Sequence, residues 1–243
     1  MVVFNEANHA YTLENGDKCI SVTTLVHDAF PVFDADKVID GIESRKTPKY
    51  AGRSRAEIKQ MWKANGKRAA VAGTRLHKYI ENIYLGVEGI EQRSDDEAQQ
   101  FHKFTSAYSD LAPYQVEWVV CDPEHRVAGT VDMVFRDKEG LYHIYDWKRS
   151  AKIVRNRFNE DYCLVPELDY IPNTNYWHYS LQLNTYKAIL MEKYGMRIGN
   201  LYLVALHPDN DTYLRIPVVD LQNEVRMLFN DRLNKLNNLN TNN

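Results

Sequence analysis

The sequence predicts an α/β domain in which helices flank a mixed set of strands, and three observations lead there. Strand-like runs recur at 114–120, 127–135, 141–145, 201–207 and 212–218. Stretches with helical spacing of apolar residues lie between and around them, at 69–85, 98–108, 176–195 and 220–236. At 243 residues, with 44% hydrophobic and 26% charged residues, the chain can bury a core of its own. We read one domain with three parts: an N-terminal arm (1–40), a basic helical part (41–109) and a core (110–238).

No apolar run approaches the roughly 20 residues of a membrane span, and the start, MVVFNEANHAY, has neither a basic leader nor an apolar signal core. Cys19, Cys121 and Cys163 are few and far apart. That fits reduced thiols in the cytoplasm and excludes a four-cysteine zinc or iron-sulfur site made by this chain. The net charge of −3 hides a basic window, since residues 45–78 hold eleven Lys and Arg against one acid, Glu57. Lys148, Arg149, Lys152, Arg155 and Arg157 form a second basic cluster. A charge run is often only a solvated face. Two that flank an acidic site point to phosphate binding, with Arg53, Arg55, Lys63, Lys67, Arg68, Arg75, Arg149, Lys152 and Arg155 as candidate contacts.

In chain order, Asn15-Gly16 predicts a hairpin with a type I′ turn. Ser21 to Thr24 offer caps for a short helix through Phe30, stopped by Pro31. Asp34, Asp36 and Asp40 lack the glycine and final glutamate of a calcium loop and read as caps and decoration of a helix. A helix from Ser54 is expected to break or bend at Asn65-Gly66 before a second begins near Lys67. On that second helix Leu76, Ile80, Ile83 and Val87 form the expected buried stripe, with His77 and Glu81 one turn apart beside it. A histidine there is more often a hydrogen-bonded core residue than a ligand. Gly73 offers close approach to a neighbouring backbone. In 114–120 alternation puts Val116, Trp118 and Val120 on one side and Gln115 and Glu117 on the other. Residues 149–175 are too long for an ordinary connection and read as a functional loop. The end, NKLNNLNTNN, reads as a frayed tail.

The chemistry concentrates in RVAGTVDMVFRDKEGLYHIYDWKRS, residues 126–150. A three-residue loop at 138–140 with Gly140 left-handed would put Asp137 opposite Leu141, and hence Asp132 opposite Asp146. Asp146 and Lys148, two apart on one strand, share a face. A one-residue slip would separate the groups. Glu117 falls near Asp132 across the sheet, as a candidate third carboxylate or as a solvated strand glutamate. Close carboxylates repel unless a cation sits between them, so D…DxK on adjacent strands suits Mg2+ or Mn2+.

GTVDMVF (129–135) with YDWK (145–148) resembles the core signature of the PD-(D/E)xK nucleases. GTRLHKYIE (73–81) and LQLNTY (181–186) are similar to the helix and QxxxY motifs of their RecB-type exonuclease branch. KYAGRSRAEIKQMWKANG and NYWHYSLQLNTY are most similar to small stand-alone, virus-encoded members. The resemblance implies a restriction-endonuclease-like core and a Mg2+- or Mn2+-dependent deoxyribonuclease acting on DNA ends, in a host-cell cytoplasm if virus-encoded, with a helicase or recombinase as a partner. It implies His77, Asp132, Asp146 and the Trp147 carbonyl as metal ligands, Lys148 as the catalytic lysine, and Gln182 and Tyr186 as positioning groups. Glu81 would support the His77 ring. Asp132 follows Val131 rather than proline, the second acid is Asp rather than Glu, and the cluster cysteines of some relatives are missing, so no iron-sulfur cluster is expected. One rival is a non-catalytic DNA-binding module on a nuclease-like fold, which has no need of a site built for metal. Another is a two-carboxylate glycosidase, which has no use for Lys148 or the basic clusters.

Overall fold

In the computed structural model, which describes residues 2–8, 10–44, 47–156 and 161–241, eight strands form one mixed sheet with helices on both faces. The basic residues Arg45, Lys46 and Arg157 lie outside the described residues. Strands β1 (Val2–Asn5), β2 (Ala10–Leu13) and β3 (Lys18–Ser21) form an antiparallel arm, of which β1 had no clear sequence signal. The predicted β2–β3 hairpin is present, but its turn differs. Leu13 and Asp17 close a three-residue loop in which Gly16 alone is left-handed, at φ 88°, so Asn15 does not adopt the type I′ conformation.

Ser21 caps α1 (Val22–His27) by accepting from the Thr24 amide at 2.9 Å. Asp34 accepts from the amides of Asp36 and Lys37 at the start of α2 (Ala35–Ser44), as its cap reading predicts. Helix α3 (Arg55–Tyr84) then runs unbroken for 30 residues from a Ser54–Glu57 capping box. The expected break at Asn65-Gly66 does not occur: one interior glycine costs about 1 kcal/mol, which the cap and the ends packed through Ile58, Leu76 and Ile80 offset. Helix α4 (Asp96–Ala107) follows, capped by Asp95.

The core strands are β4 (Ala112–Asp122), β5 (Val127–Arg136), β6 (Tyr142–Lys148), β7 (Ile198–Ala205) and β8 (Leu214–Pro217). Helix α5 (Asn175–Tyr194), ended by left-handed Gly195, lies between β6 and β7. Helix α6 (Gln222–Thr241) closes the chain and takes in part of the stretch expected to fray. Val134, Ile144 and Leu203 pack with α1, α5 and α6 on one face. Met133, Tyr145 and Trp147 pack with Leu76, Phe101 and Phe104 of α3 and α4 on the other.

The alternation expected in β4 fails at one residue. Val116 faces the α3–α4 layer while Trp118 and Val120 face the α5 layer, because Glu117 between them adopts φ 46°. Of the predicted loop 149–175, the stretch 161–174 is less open than expected. Cys163, Val165, Leu168 and Ile171 are buried against Val26 and Phe30, so that part of the segment is ordered by its own small core. No helix among the described residues is long and apolar enough to cross a membrane.

Candidate active site

The site lies where the sheet forks. β4 runs antiparallel along one edge of β5 for nearly its whole length. On the other edge, Val127 and Ala128 pair with β3, whereas Met133 to Arg136 pair with β6. Residues 129–132 therefore have no strand partner on that edge. Asp132 fills part of the opening, its Oδ2 accepting from the Trp147 amide at 2.9 Å.

The β5–β6 register is the predicted one. Gly140 is left-handed at φ 81°, Asp137 donates its amide to the Leu141 carbonyl at 3.0 Å, and Met133 pairs with Tyr145. Asp137 also caps the turn: its Oδ1 accepts from the Glu139 and Leu141 amides and its Oδ2 binds His143. The pairing ends at Met133 and Tyr145, one residue short of Asp132 and Asp146, where the Asp132 side chain takes the Trp147 amide in place of a backbone partner, and regular pleating gives Asp146 and Lys148 the same face.

On that face Lys148 Nζ lies 2.7 Å from Asp146 Oδ2, donates to Gln182 Oε1 at 3.4 Å and sits 4.4 Å from the centre of the Tyr179 ring. Tyr179 was missed in the sequence, although its place three residues before Gln182 on one helix put it within sight. Tyr186, on the next turn, lies against bare backbone: a Cβ on Gly129 would come within 2.8 Å of its ring and hydroxyl. The glycine of GTVD is thus the seat of the tyrosine of LQLNTY. The close approach predicted at Gly73 is not seen among the described residues, none of which comes within 4 Å of a Cβ there.

From the other layer, α3 delivers His77. Its Nε2 lies 2.8 Å from the Trp147 carbonyl, and a carbonyl can only accept, so Nε2 carries the proton. Nδ1 then faces Asp132 at 3.6 Å and Glu117 at 4.0 Å. His77, Glu117 and Asp132 bring one ligand atom each within 4.8 Å of one another. This trio holds two of the expected ligands, His77 and Asp132, together with Glu117. Glu117 adopts φ 46° at this point of β4, and Asp146 lies beside the trio with Lys148 Nζ 2.7 Å from its Oδ2. The Trp147 carbonyl is already an acceptor for His77. Glu81 pairs with Lys78 through both oxygens at 2.9 Å rather than supporting His77.

Burial, then Asp132, Glu81 and Asp146, push the Glu117 carboxyl up to about 8. Asp146 is pushed up to about 6, burial outweighing the opposing Lys148. Burial would lower Lys148, but Asp146 and Asp132 outweigh it and hold the ammonium above its ordinary value. Burial raises the Tyr186 hydroxyl well above its ordinary value against an opposing Gln182. Solvent reaches the His77 and Glu117 side, where the side chains are 30% and 32% exposed, but not Asp146, at 2%. A second cluster, Asp122, Glu124 and His125, is a turn clasp: Asp122 accepts from the Glu124 and His125 amides and the His125 ring.

The candidate phosphate contacts divide. Arg53, Lys63, Lys67, Arg68 and Arg75 are exposed along α3 or just before it, and Lys152 and Arg155 are exposed beyond β6. Arg155 lies over the Tyr176 ring at 4.2 Å. Arg55 binds Asp36, Asp40 and Glu43 and is structural. Arg149 is held against Glu97, which also binds Arg93.

No family model matches this chain, and no curated protein matches it. Among solved structures, SSO0001 aligns over 88% of this chain and 74% of its own, at 16% identity and a TM-score of 0.36. Similarity at that level carries no functional argument.

Proposed function

We propose that the protein is a metal-dependent deoxyribonuclease of the PD-(D/E)xK type, acting on DNA ends. The observation that carries this reading is the meeting of His77, Glu117, Asp132, Asp146 and Lys148 at one fork of the sheet. The donors fit a hard divalent cation. Nδ1 of His77 is free of its proton when the ring is neutral, and the carboxylates of Glu117 and Asp132 each bring an oxygen within 4.8 Å of it and of one another. His77, Glu117 and Asp132 would hold the ion, with Asp146 beside them. Bound there, Mg2+ or Mn2+ supplies a Lewis acid for a phosphate oxygen and lowers the pKa of a coordinated water.

The rest falls to side chains. Asp146 and Gln182 fix the Lys148 ammonium so that it meets charge growing on the phosphate. Tyr186 and Gln182 line the wall where the scissile group would rest. The exposed cations of α3 and Lys152 bind flanking phosphates without reading sequence. With Cys19, Cys121 and Cys163 all free, we assign the activity to the reducing cytoplasm.

The test is end-labelled DNA incubated with Mg2+, Mn2+ or chelator. Cleavage is expected with either ion and not in chelator, and a loss of at least about 100-fold in Asp132→Asn and Lys148→Ala. Full activity in either variant overturns the assignment. Degradation of closed circles as fast as linear DNA removes the preference for ends.

A further inference from the structure

At the end of α3 far from the fork, Trp62 lies between Tyr50 and Phe33. Their ring centres are 6.1 and 5.9 Å from the indole, at interplanar angles of 89° and 64°. Both neighbours meet the indole steeply, so neither lies flat on its face. Trp62 Nε1 donates to the Tyr50 hydroxyl at 3.2 Å, which fixes the ring and satisfies its polar atom. Phe33 is 67% exposed and the adjacent Val32 93%. Aromatic surface left in water in this way marks a contact site.

The charge around the rings says what the contact is. The acids of α2 are already engaged, Asp36 by Arg55 and Lys59, and Asp40 and Glu43 by Arg55. Lys49, Arg53 and Lys63 are exposed and form no salt bridge among the described residues. Lys49 Nζ lies 5.7 Å over the Tyr50 ring, and rings on a lobe that carries exposed cations suit a polyanion that presents flat π-faces, which unpaired nucleic acid does and a stacked duplex does not. An apolar protein partner would leave the cations without use. Trp62 stands fifteen residues before His77 on one helix, about 22 Å along its axis. At about 3.4 Å per stacked nucleotide that is about six or seven nucleotides.

We propose that Phe33, Tyr50 and Trp62, with Lys49, Arg53 and Lys63, form a stacking platform for the unpaired bases of single-stranded DNA. The strand continues down α3 and reaches the fork about six or seven nucleotides later. Its destination rests on the nuclease reading; its capture at the rings does not.

Fluorescence anisotropy in chelator, with labelled oligothymidylates of about 4 and about 12 nucleotides and a duplex of about 12 base pairs, tests this. The longer strand is expected to bind more tightly than the shorter strand and the duplex. Phe33→Ala and Trp62→Ala are each expected to weaken the longer strand about tenfold, and Trp62→Phe to retain most of the affinity. Phe33→Ala removes an exposed ring and tests the platform even if Trp62→Ala unfolds α3. Unchanged affinity in Phe33→Ala and Trp62→Ala, or duplex bound as tightly as single strand, overturns the proposal and assigns the rings to a protein contact. Ring-dependent binding without cleavage sinks the nuclease reading alone; cleavage with ring-independent binding sinks the platform alone.

Discussion

The fork and the α2–α3 lobe handle charge in opposite ways. At the fork, charged groups are drawn together from α3, β4, β5 and β6, and burial and neighbouring carboxylates raise the Glu117 and Asp146 carboxyls above their ordinary values. On the lobe, charges stay in water: Arg55 and Lys59 pair with the acids of α2, Lys63 and Lys67 are exposed, and Arg68 donates to the neighbouring Asn65. Chemistry needs groups held before the substrate arrives, at a cost in stability. Grip on a phosphate chain needs only cations within reach, and costs the fold little.

The largest break in this contrast is expected from a residue without charge. Gly129→Ala puts a methyl group 2.8 Å from the Tyr186 ring. It is expected to cost about 1–3 kcal/mol in urea unfolding and to lower cleavage about tenfold or more while DNA affinity holds. Glu117→Gln should do the reverse to stability. Its folded carboxyl titrates near 8, so ionised Glu117 destabilises the fold increasingly as pH rises above the unfolded value. Removing it is expected to stabilise the metal-free protein at pH 7 by on the order of 1–2 kcal/mol, and to weaken Mn2+ binding.

A smaller effect is expected where the lobe joins the core. His178 stacks on Phe30 with ring centres 4.1 Å apart, and its Nε2 lies 2.8 Å from Asn173 Oδ1. Burial, then His27, lower it to about 4. The unfolded chain takes up this proton first, near pH 6.5, so stability should fall as pH drops from about 6.5 to about 4. Thermal unfolding across that range should show a slope that His178→Gln reduces. The smallest effects belong to the lobe. Arg55→Ala is expected to lower the thermal unfolding midpoint only slightly, because its ion pairs are exposed, without changing DNA affinity. Lys67→Ala should leave stability unchanged and reduce the salt slope of binding by about one.

The same division governs what could be read from the sequence. The β5–β6 register was legible because Asp137 and Gly140 determine the loop locally, and strand period then carried Asp146 and Lys148 to one face. The fork was not, because it depends on β3 returning from the N-terminal arm to pair in parallel with β5. Nothing near Asp132 reports that. Glu117 was placed beside Asp132, but the positive φ that reverses the faces of β4 has no signal in an alternating run. Arg55 was read as a DNA contact because counting charges does not show partners, and Asp36, Asp40 and Glu43 are twelve to nineteen residues away. Glu81 stands one turn from His77 as expected, yet Lys78 is nearer.

The claim on which the rest depends is that the fork holds a divalent cation. Calorimetric titration of Mn2+ into the wild-type protein and Asp132→Asn tests it most directly. The account predicts saturable binding to the wild type that is lost in Asp132→Asn and weakened about tenfold in Glu117→Gln, with cooperative unfolding retained in both variants. Equal Mn2+ binding by wild type and a folded Asp132→Asn would contradict it.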